Sequence, residues 1–190
     1  EKAGLKAKDI VAIGAHGQTI RHQPELGENL SYTHQTLNAA LLAEKTGVDV
    51  VADFRSRDLA AGGHGAPLVP AFHAQQFAST DNVAIVNIGG IANLTLLPKD
   101  GEVSGFDCGP GNILMDAWIF DQQGNLFDKN GAWAALGKSS EALLQSMLAD
   151  PFFAKAPPKS TGRDHFHLGW LQEKIANENF LTEDVQATLL

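Results

Sequence analysis

The chain has 190 residues, 44% hydrophobic and 19% charged, with a net charge of −8. This suits a globular protein with a sizeable core, built as one large domain or two small lobes. The acid excess leaves no basic stripe for nucleic acid, the lone Cys108 excludes an internal disulfide and fits a reducing cytosol, and no apolar run is long enough to span a bilayer. The chain begins with Glu1 rather than Met, so a native segment ahead of it is expected. Residues 9–15 are a short apolar run ending in a polar turn, His16-Gly17-Gln18-Thr19, and read as a buried strand. Residues 21–32 are polar and loop-like. Leu37, Ala40, Leu41 and Ala43 fall on helical spacing across residues 37–46, with Gly47 as the C-cap. Residues 48–52 read as a second buried strand, so strand, helix and strand predict a βαβ unit with a parallel sheet.

Residues 53–67 form a long loop carrying Asp53, Arg55, Arg57 and Asp58, then Gly62-Gly63-His64-Gly65. A helix is expected over 68–77. The polar break at 79–82 is the best internal boundary, dividing the chain into 1–80 and 81–190. Strands are expected at 83–88, 92–97 and 102–106, joined by Gly89-Gly90 and by Pro98-Lys99-Asp100-Gly101. Helices follow near 112–122 and 141–149, residues 151–164 are irregular, and 183–190 read as a helix. No repeat of 20–50 residues is present.

The most informative stretch is 105–116. It sets Asp107 at a strand end, a tight turn at 108–111, and Asn112 as a side-chain N-cap of the next helix. Amides at a helix start bind anions, so a carboxylate there suggests proton transfer beside a phosphoryl group. Two readings of Asp107 stand side by side: a general base, or a turn aspartate that stabilises the Gly-Pro-Gly loop. Asn87-Ile88-Gly89-Gly90-Ile91-Ala92-Asn93 is either a backbone nest for phosphate or a plain hairpin turn. Gly62-Gly63-His64-Gly65 could cradle an anion or sugar, but no Gly-Lys-Ser/Thr follows to make a Walker A loop. Arg55 and Arg57 either pair a substrate carboxylate or pair Asp53 and Asp58. The seven histidines are scattered without ligand spacing, so no metal ligand is assigned. Cys108 reads as a packing residue, its thiol pKa raised by the carboxylate next to it.

Taken together, these segments resemble the anhydro-N-acetylmuramic acid kinases of bacterial cell-wall recycling. The resemblance is carried by Ile13-Gly14-Ala15-His16-Gly17-Gln18-Thr19, Asp53-Phe54-Arg55, Ala61-Gly62-Gly63-His64-Gly65-Ala66-Pro67-Leu68-Val69-Pro70, the segment 87–93, Gly105-Phe106-Asp107-Cys108-Gly109-Pro110-Gly111-Asn112, Asp128-Lys129-Asn130-Gly131, Pro158-Lys159-Ser160-Thr161-Gly162-Arg163 and Asp184-Val185-Gln186-Ala187-Thr188-Leu189. No single motif decides it; all of them in the family's order are specific.

The resemblance implies an α/β, two-lobed actin/hexokinase-like (ribonuclease H-like) kinase fold, here incomplete at both ends. Residues 1–80 would be the remainder of the first lobe and 81–190 the start of the second. A phosphate loop of the Gly-Thr-Ser-Leu-Asp-Gly type and a long C-terminal part would lie outside this chain. It further implies that water opens the anhydro bridge and that the freed O6 takes the γ-phosphoryl group of ATP with Mg²⁺, giving N-acetylmuramic acid 6-phosphate. Asp107 takes the role of base. His16, Gln18, Arg55, Gly63, Gly65, Pro67, Gly109, Gly111 and Asn112 are carried over to the sugar, and Asn87, Gly89, Gly90 and Asn93 to the nucleotide. The expected partners are an amino sugar and ATP, with no nucleic acid and no membrane, in the cytoplasm, and with a homodimer left open. His64, Cys108 and Thr36-Leu37-Asn38 depart from the residues usual in the family. A kinase for another small molecule, or a non-catalytic nucleotide-responsive module of the same superfold, is the alternative.

Overall fold

The computed structural model describes residues 4–27, 30–176 and 178–190. They are mixed α/β and group into two compact units that meet in sequence between Leu68 and Val69.

In the first unit, β1 (Ile13–Gly14) pairs in parallel with β4 (Val50–Val51). Helix α1 (Ala39–Thr46) lies between them in sequence, which is the expected βαβ logic. Asn38 caps α1 by accepting the Leu41 N–H at 2.9 Å, and Gly47 ends it in the left-handed conformation. Two expectations are corrected here. Residues 21–32 are not simply a loop, because β2 (Gln18–Gln23) and β3 (Tyr32–Thr36) form an antiparallel hairpin. Its strands are polar on both faces, so they carry no hydrophobic alternation to announce them. Nor are the two apolar runs buried strands: the β1–β4 ladder is two residues long, Val11 is 94% exposed and Val51 is 53% exposed. A short α2 (Ser56–Ala60) interrupts the 53–67 loop and buries Leu59.

In the second unit, α3 (Pro70–Phe77) packs on a three-stranded antiparallel meander of β5 (Val83–Ile88), β6 (Ile91–Leu97) and β7 (Ser104–Pro110). His73 of α3 bonds Thr95 Oγ1 of β6 at 2.9 Å, pairing a fully buried hydroxyl. After β7 the chain enters α4 (Ile113–Gln123), then α5 (Glu141–Leu148), α6 (Pro151–Ala154), α7 (Leu168–Ile175) and α8 (Thr182–Leu189). These helices enclose a core of Leu114, Trp118, Leu143, Phe152, Phe166 and Leu171, with neighbours. The stretch 151–164 is therefore irregular only beyond α6, since Asp150 caps that turn. Phe152, Phe166 and Trp170 meet edge to face with centroids 5.1–5.6 Å apart, a favoured aromatic geometry.

Candidate active site

The cross-strand register builds a polar row across the meander. Asn87 of β5 lies opposite Asn93 of β6, and Asn93 lies opposite Asp107 of β7. Directly opposed residues share one face of a sheet. Asp107 is buried, 6% exposed, and sits inside β7 rather than at its end. The turn expected at 108–111 is displaced because Gly109 and Pro110 still pair with Ala92 and Ile91, after a register shift between Ala92 and Asn93. The Asp107 N–H donates to the Lys159 carbonyl at 3.1 Å, and Asp107 Oδ2 accepts the Thr161 N–H at 2.9 Å. Around this carboxylate, Asn93 Oδ1 and Thr161 Oγ1 are buried with no hydrogen-bond partner in the protein. Buried polar atoms are ordinarily paired, so two orphans beside one buried aspartate make this the leading candidate for a ligand site. The adjacent Cys108 thiol is pushed up by burial and by Asp107, against a smaller opposing pull from Lys159.

The Gly89-Gly90 turn is tied to the start of α4. Gly111 and Ile113 donate their N–H groups to the Gly90 carbonyl at 2.8 and 3.2 Å, and Asn112 donates to the Gly89 carbonyl at 2.8 Å. Of the amides at this turn and helix start, those of Gly111, Asn112 and Ile113 are thereby taken up by carbonyls. Asn112 is no side-chain cap: its backbone is helical, its side chain makes no cap bond, and the residue lines a cavity of about 470 Å³ with Met115, Asp116 and Asp128. Burial pushes the Asp116 carboxyl up. Gly111 is required by close approach, since a Cβ there would overlap the Gly89 carbonyl oxygen. Gly89 and Gly90 are different. Neither has a left-handed φ, and a Cβ on either would meet only ordinary contacts at 3.8–3.9 Å.

A second group of candidates lies within the first unit. Arg55 Nε donates to His16 Nε2 at 2.8 Å, and its Nη1 donates to the Gly65 carbonyl. Nε2 of His16 is thus an acceptor, which leaves Nδ1 as the donor to the Gly17 carbonyl at 2.8 Å. Asp58 Oδ2 accepts the Gly65 N–H at 2.7 Å, and the Asp58 carboxylate fills the space a Cβ on Gly63 would need. Asp53 adopts φ 54, and bonds from Ser56 hold its carboxyl below the usual value. His16, His34, Gln35, Asp53 and Ser56 line a polar cavity of about 230 Å³. Gln18 lies exposed on β2, and Pro67 follows a cis peptide bond.

The structure thus brings Asn87, Asn93 and Asp107 together, then Gly89, Gly90, Gly111 and Asn112, then His16, Arg55, Gly63 and Gly65. Gly109 pairs with Ala92 under Phe153. Sequence reasoning gave no role to Lys159 or Thr161, which hold Asp107 from more than fifty positions away; only the 158–163 motif pointed there. Among the described residues no group of three or more His, Cys, Asp or Glu is placed to hold a metal, and no helix is long and apolar enough to cross a membrane.

A family model described as anhydro-N-acetylmuramic acid kinase matches residues 1–190. Curated proteins named anhydro-N-acetylmuramic acid kinase are similar throughout. The protein of Cupriavidus pinatubonensis is 58% identical over 99% of this chain and 52% of its own length. Those of Pseudomonas paraeruginosa and Nitrosomonas europaea are 59% and 55% identical, over 95% and 100% of this chain and 49% and 52% of their own lengths. The chain spans about half the length of the curated relatives it matches.

Proposed function

The chain belongs to the anhydro-N-acetylmuramic acid kinase family, and from that premise we propose that it carries the catalytic base of an ATP-dependent kinase acting on 1,6-anhydro-N-acetylmuramic acid. Asp107 takes a proton from the water that attacks the anomeric carbon. The bond from that carbon to the bridging O6 breaks, O6 takes the γ-phosphoryl group of ATP, and ADP leaves. The product is N-acetylmuramic acid 6-phosphate, an intermediate of peptidoglycan recycling. The observation that carries this reading is the buried Asp107 flanked by the unpaired Asn93 Oδ1 and Thr161 Oγ1.

The Gly89-Gly90 turn suits the approach of phosphates, because its missing side chains answer no demand of the protein's own packing. Asn87 and Asn93 flank that turn and offer amides to the nucleotide. Mg²⁺ bound with ATP would neutralise phosphate charge; it needs only one or two protein carboxylates beside phosphates and water, so no preformed cluster is required. The polar cavity at His16 and Asp53 is the proposed sugar-recognition surface of the first unit, with Arg55 fixing the His16 ring and the Gly65 carbonyl. Gln18, Gly63, Pro67, Gly109, Gly111 and Asn112 are kept as further sugar contacts. In the whole enzyme, residues 1–80 belong to the first lobe and 81–190 to the second, working in the cytoplasm where ATP is available, and light scattering decides between monomer and homodimer.

The test is ADP and sugar-phosphate release by the full-length protein, with anhydro sugar compared against ordinary N-acetylmuramic acid. Asp107→Asn should lower kcat at least ~10²-fold. It should leave the fold intact, because an amide oxygen can still accept the Thr161 N–H. Near-normal kcat in that variant overturns the assignment of the base.

A further inference from the structure

We propose that Lys159 is a positioning residue that holds the Asp107 carboxylate in its working orientation. The segment 159–162 runs beside β7 as a strap and grips Asp107 at two points, by the Lys159 carbonyl on the backbone N–H and by the Thr161 N–H on Oδ2. A strap can fix a side chain only if its own ends are fixed. At one end, the Gly162 carbonyl accepts the N–H groups of His165 and Phe166 at 3.1 and 3.0 Å, and Phe166 is fully buried. At the other end, Lys159 is only 8% exposed. Its Nζ donates to the carbonyls of Phe152 and Phe153, each at 3.3 Å, and lies 4.7 Å from the centre of the Phe152 ring.

Those two carbonyls belong to α6, whose Phe152 carbonyl also accepts the Lys155 N–H at 3.2 Å. The ammonium therefore ties the end of α6 to the strap, and the carbonyls with the ring face answer the desolvation of a buried cation. The anchor is itself rigid, because Phe152 sits in the aromatic cluster of Phe166 and Trp170. The route from core to carboxylate is continuous: aromatic cluster, α6, the Lys159 ammonium, the strap, Asp107. No step passes through a substrate contact of Lys159. Its effect is on the geometry of Asp107, and misplacement of a reacting group by about 1 Å costs on the order of 10²-fold in rate.

The catalytic consequence rests on Asp107 being the base; the positioning itself does not, and the experiment separates them. In the full-length enzyme, Lys159→Met keeps the length and apolar stem but removes the cation. Hydrogen exchange resolved to peptides within 104–110 and 159–163 should quicken by about tenfold or more at the Asp107 and Thr161 amides, with peptides of β5 unchanged. In turnover assays kcat should fall ~10–100-fold with KM for both substrates nearly constant. Lys159→Arg, which retains a cation for the two carbonyls and the ring, should recover protection and most of kcat, and it serves as the reporting variant if the Met variant fails to fold. Unchanged exchange at Asp107 and Thr161 in the Met variant overturns the positioning. So does an Arg variant as loose as a folded Met variant, or one loose by itself. Quickened exchange with full kcat overturns the catalytic consequence, while loss of kcat in Asp107→Asn keeps the base assignment standing.

Discussion

Removing the Asp150 carboxylate should loosen the floor beneath the active site, by an amount that can be worked from its partners. Asp150 is 7% exposed and accepts the Phe152 N–H at 2.9 Å, the Trp170 indole Nε1–H at 2.9 Å and His165 Nε2 at 3.1 Å. Asp150→Ala leaves the Phe152 amide and the Trp170 indole without acceptors, and each buried orphan costs about 1–3 kcal/mol. The lost cap on α6 is the same Phe152 bond and is not added again. The expected loss is about 2–6 kcal/mol, or a fall in Tm of roughly 3–8 °C for a full-length enzyme about twice as long as this chain. Thermal unfolding followed by near-UV circular dichroism reads it, because Trp170 reports this site. Acid adds a second readout. Burial alone would raise the Asp150 carboxyl, but the bonds from Phe152, Trp170 and His165 outweigh it and hold the group below its ordinary value. A depressed carboxyl contributes stability that is present above the unfolded pKa and is lost as pH falls through the folded pKa. The Tm gap between wild type and Asp150→Asn should therefore be full at pH 6 and shrink as pH falls below about 4. A gap that stays constant down to pH 3, or an Ala variant within 1 °C of wild type, would refute the reasoning.

Two glycine substitutions complete the set. Gly90→Val should impair ATP use, with KM raised or kcat lowered about tenfold or more, while Tm moves little, since a Cβ there meets nothing of the protein closer than 3.8 Å; unchanged kinetics with ATP, or an unfolded variant, would return the turn to a plain hairpin. Gly111→Ala should behave oppositely, losing about 1–3 kcal/mol in denaturant titrations as its Cβ is driven into the Gly89 carbonyl, and a variant as stable as wild type would show that the turn can move away freely.

The meander was legible because short runs led by residues 83–86 and 94–97 are punctuated by Gly-Gly and Pro-Lys-Asp-Gly, and α4 because Leu114, Trp118 and Ile119 recur on helical spacing. The β2–β3 hairpin was not legible, since a strand such as Gln18–Gln23 that buries neither face leaves no periodicity. Helix α7 did leave a signal in Leu168, Leu171 and Ile175, with His167 accepting the Trp170 N–H at 3.1 Å. The site divides the same way. Asp107 stood out from its local neighbourhood, but its real surroundings are Asn93 across the sheet and the strap at 159–162. Sequence order conveys neither, because cross-strand register and strap docking are fixed by tertiary packing.

The two parts of the second unit's site are built on opposite physical terms, and that contrast bears on what each can do. Asp107 is held by the protein itself: its backbone and one carboxylate oxygen are bonded to a strap anchored in the aromatic core. A base must meet its proton within hydrogen-bond reach, so rigidity there preserves rate. The Gly89-Gly90 turn is held by the β5–β6 ladder and by its carbonyls, which accept from the start of α4, while its side-chain positions meet no close contact among the described residues. Glycine destabilises a strand connection by enlarging the freedom of the unfolded chain. At Gly111 close approach within the protein balances that loss. At Gly89 and Gly90 nothing among the described residues of the second unit does, which leaves the turn open to the phosphate contact proposed for it. Gly90→Val and Lys159→Met therefore test complementary claims: the first should change how ATP is used while sparing the fold, the second how fast bound substrates react.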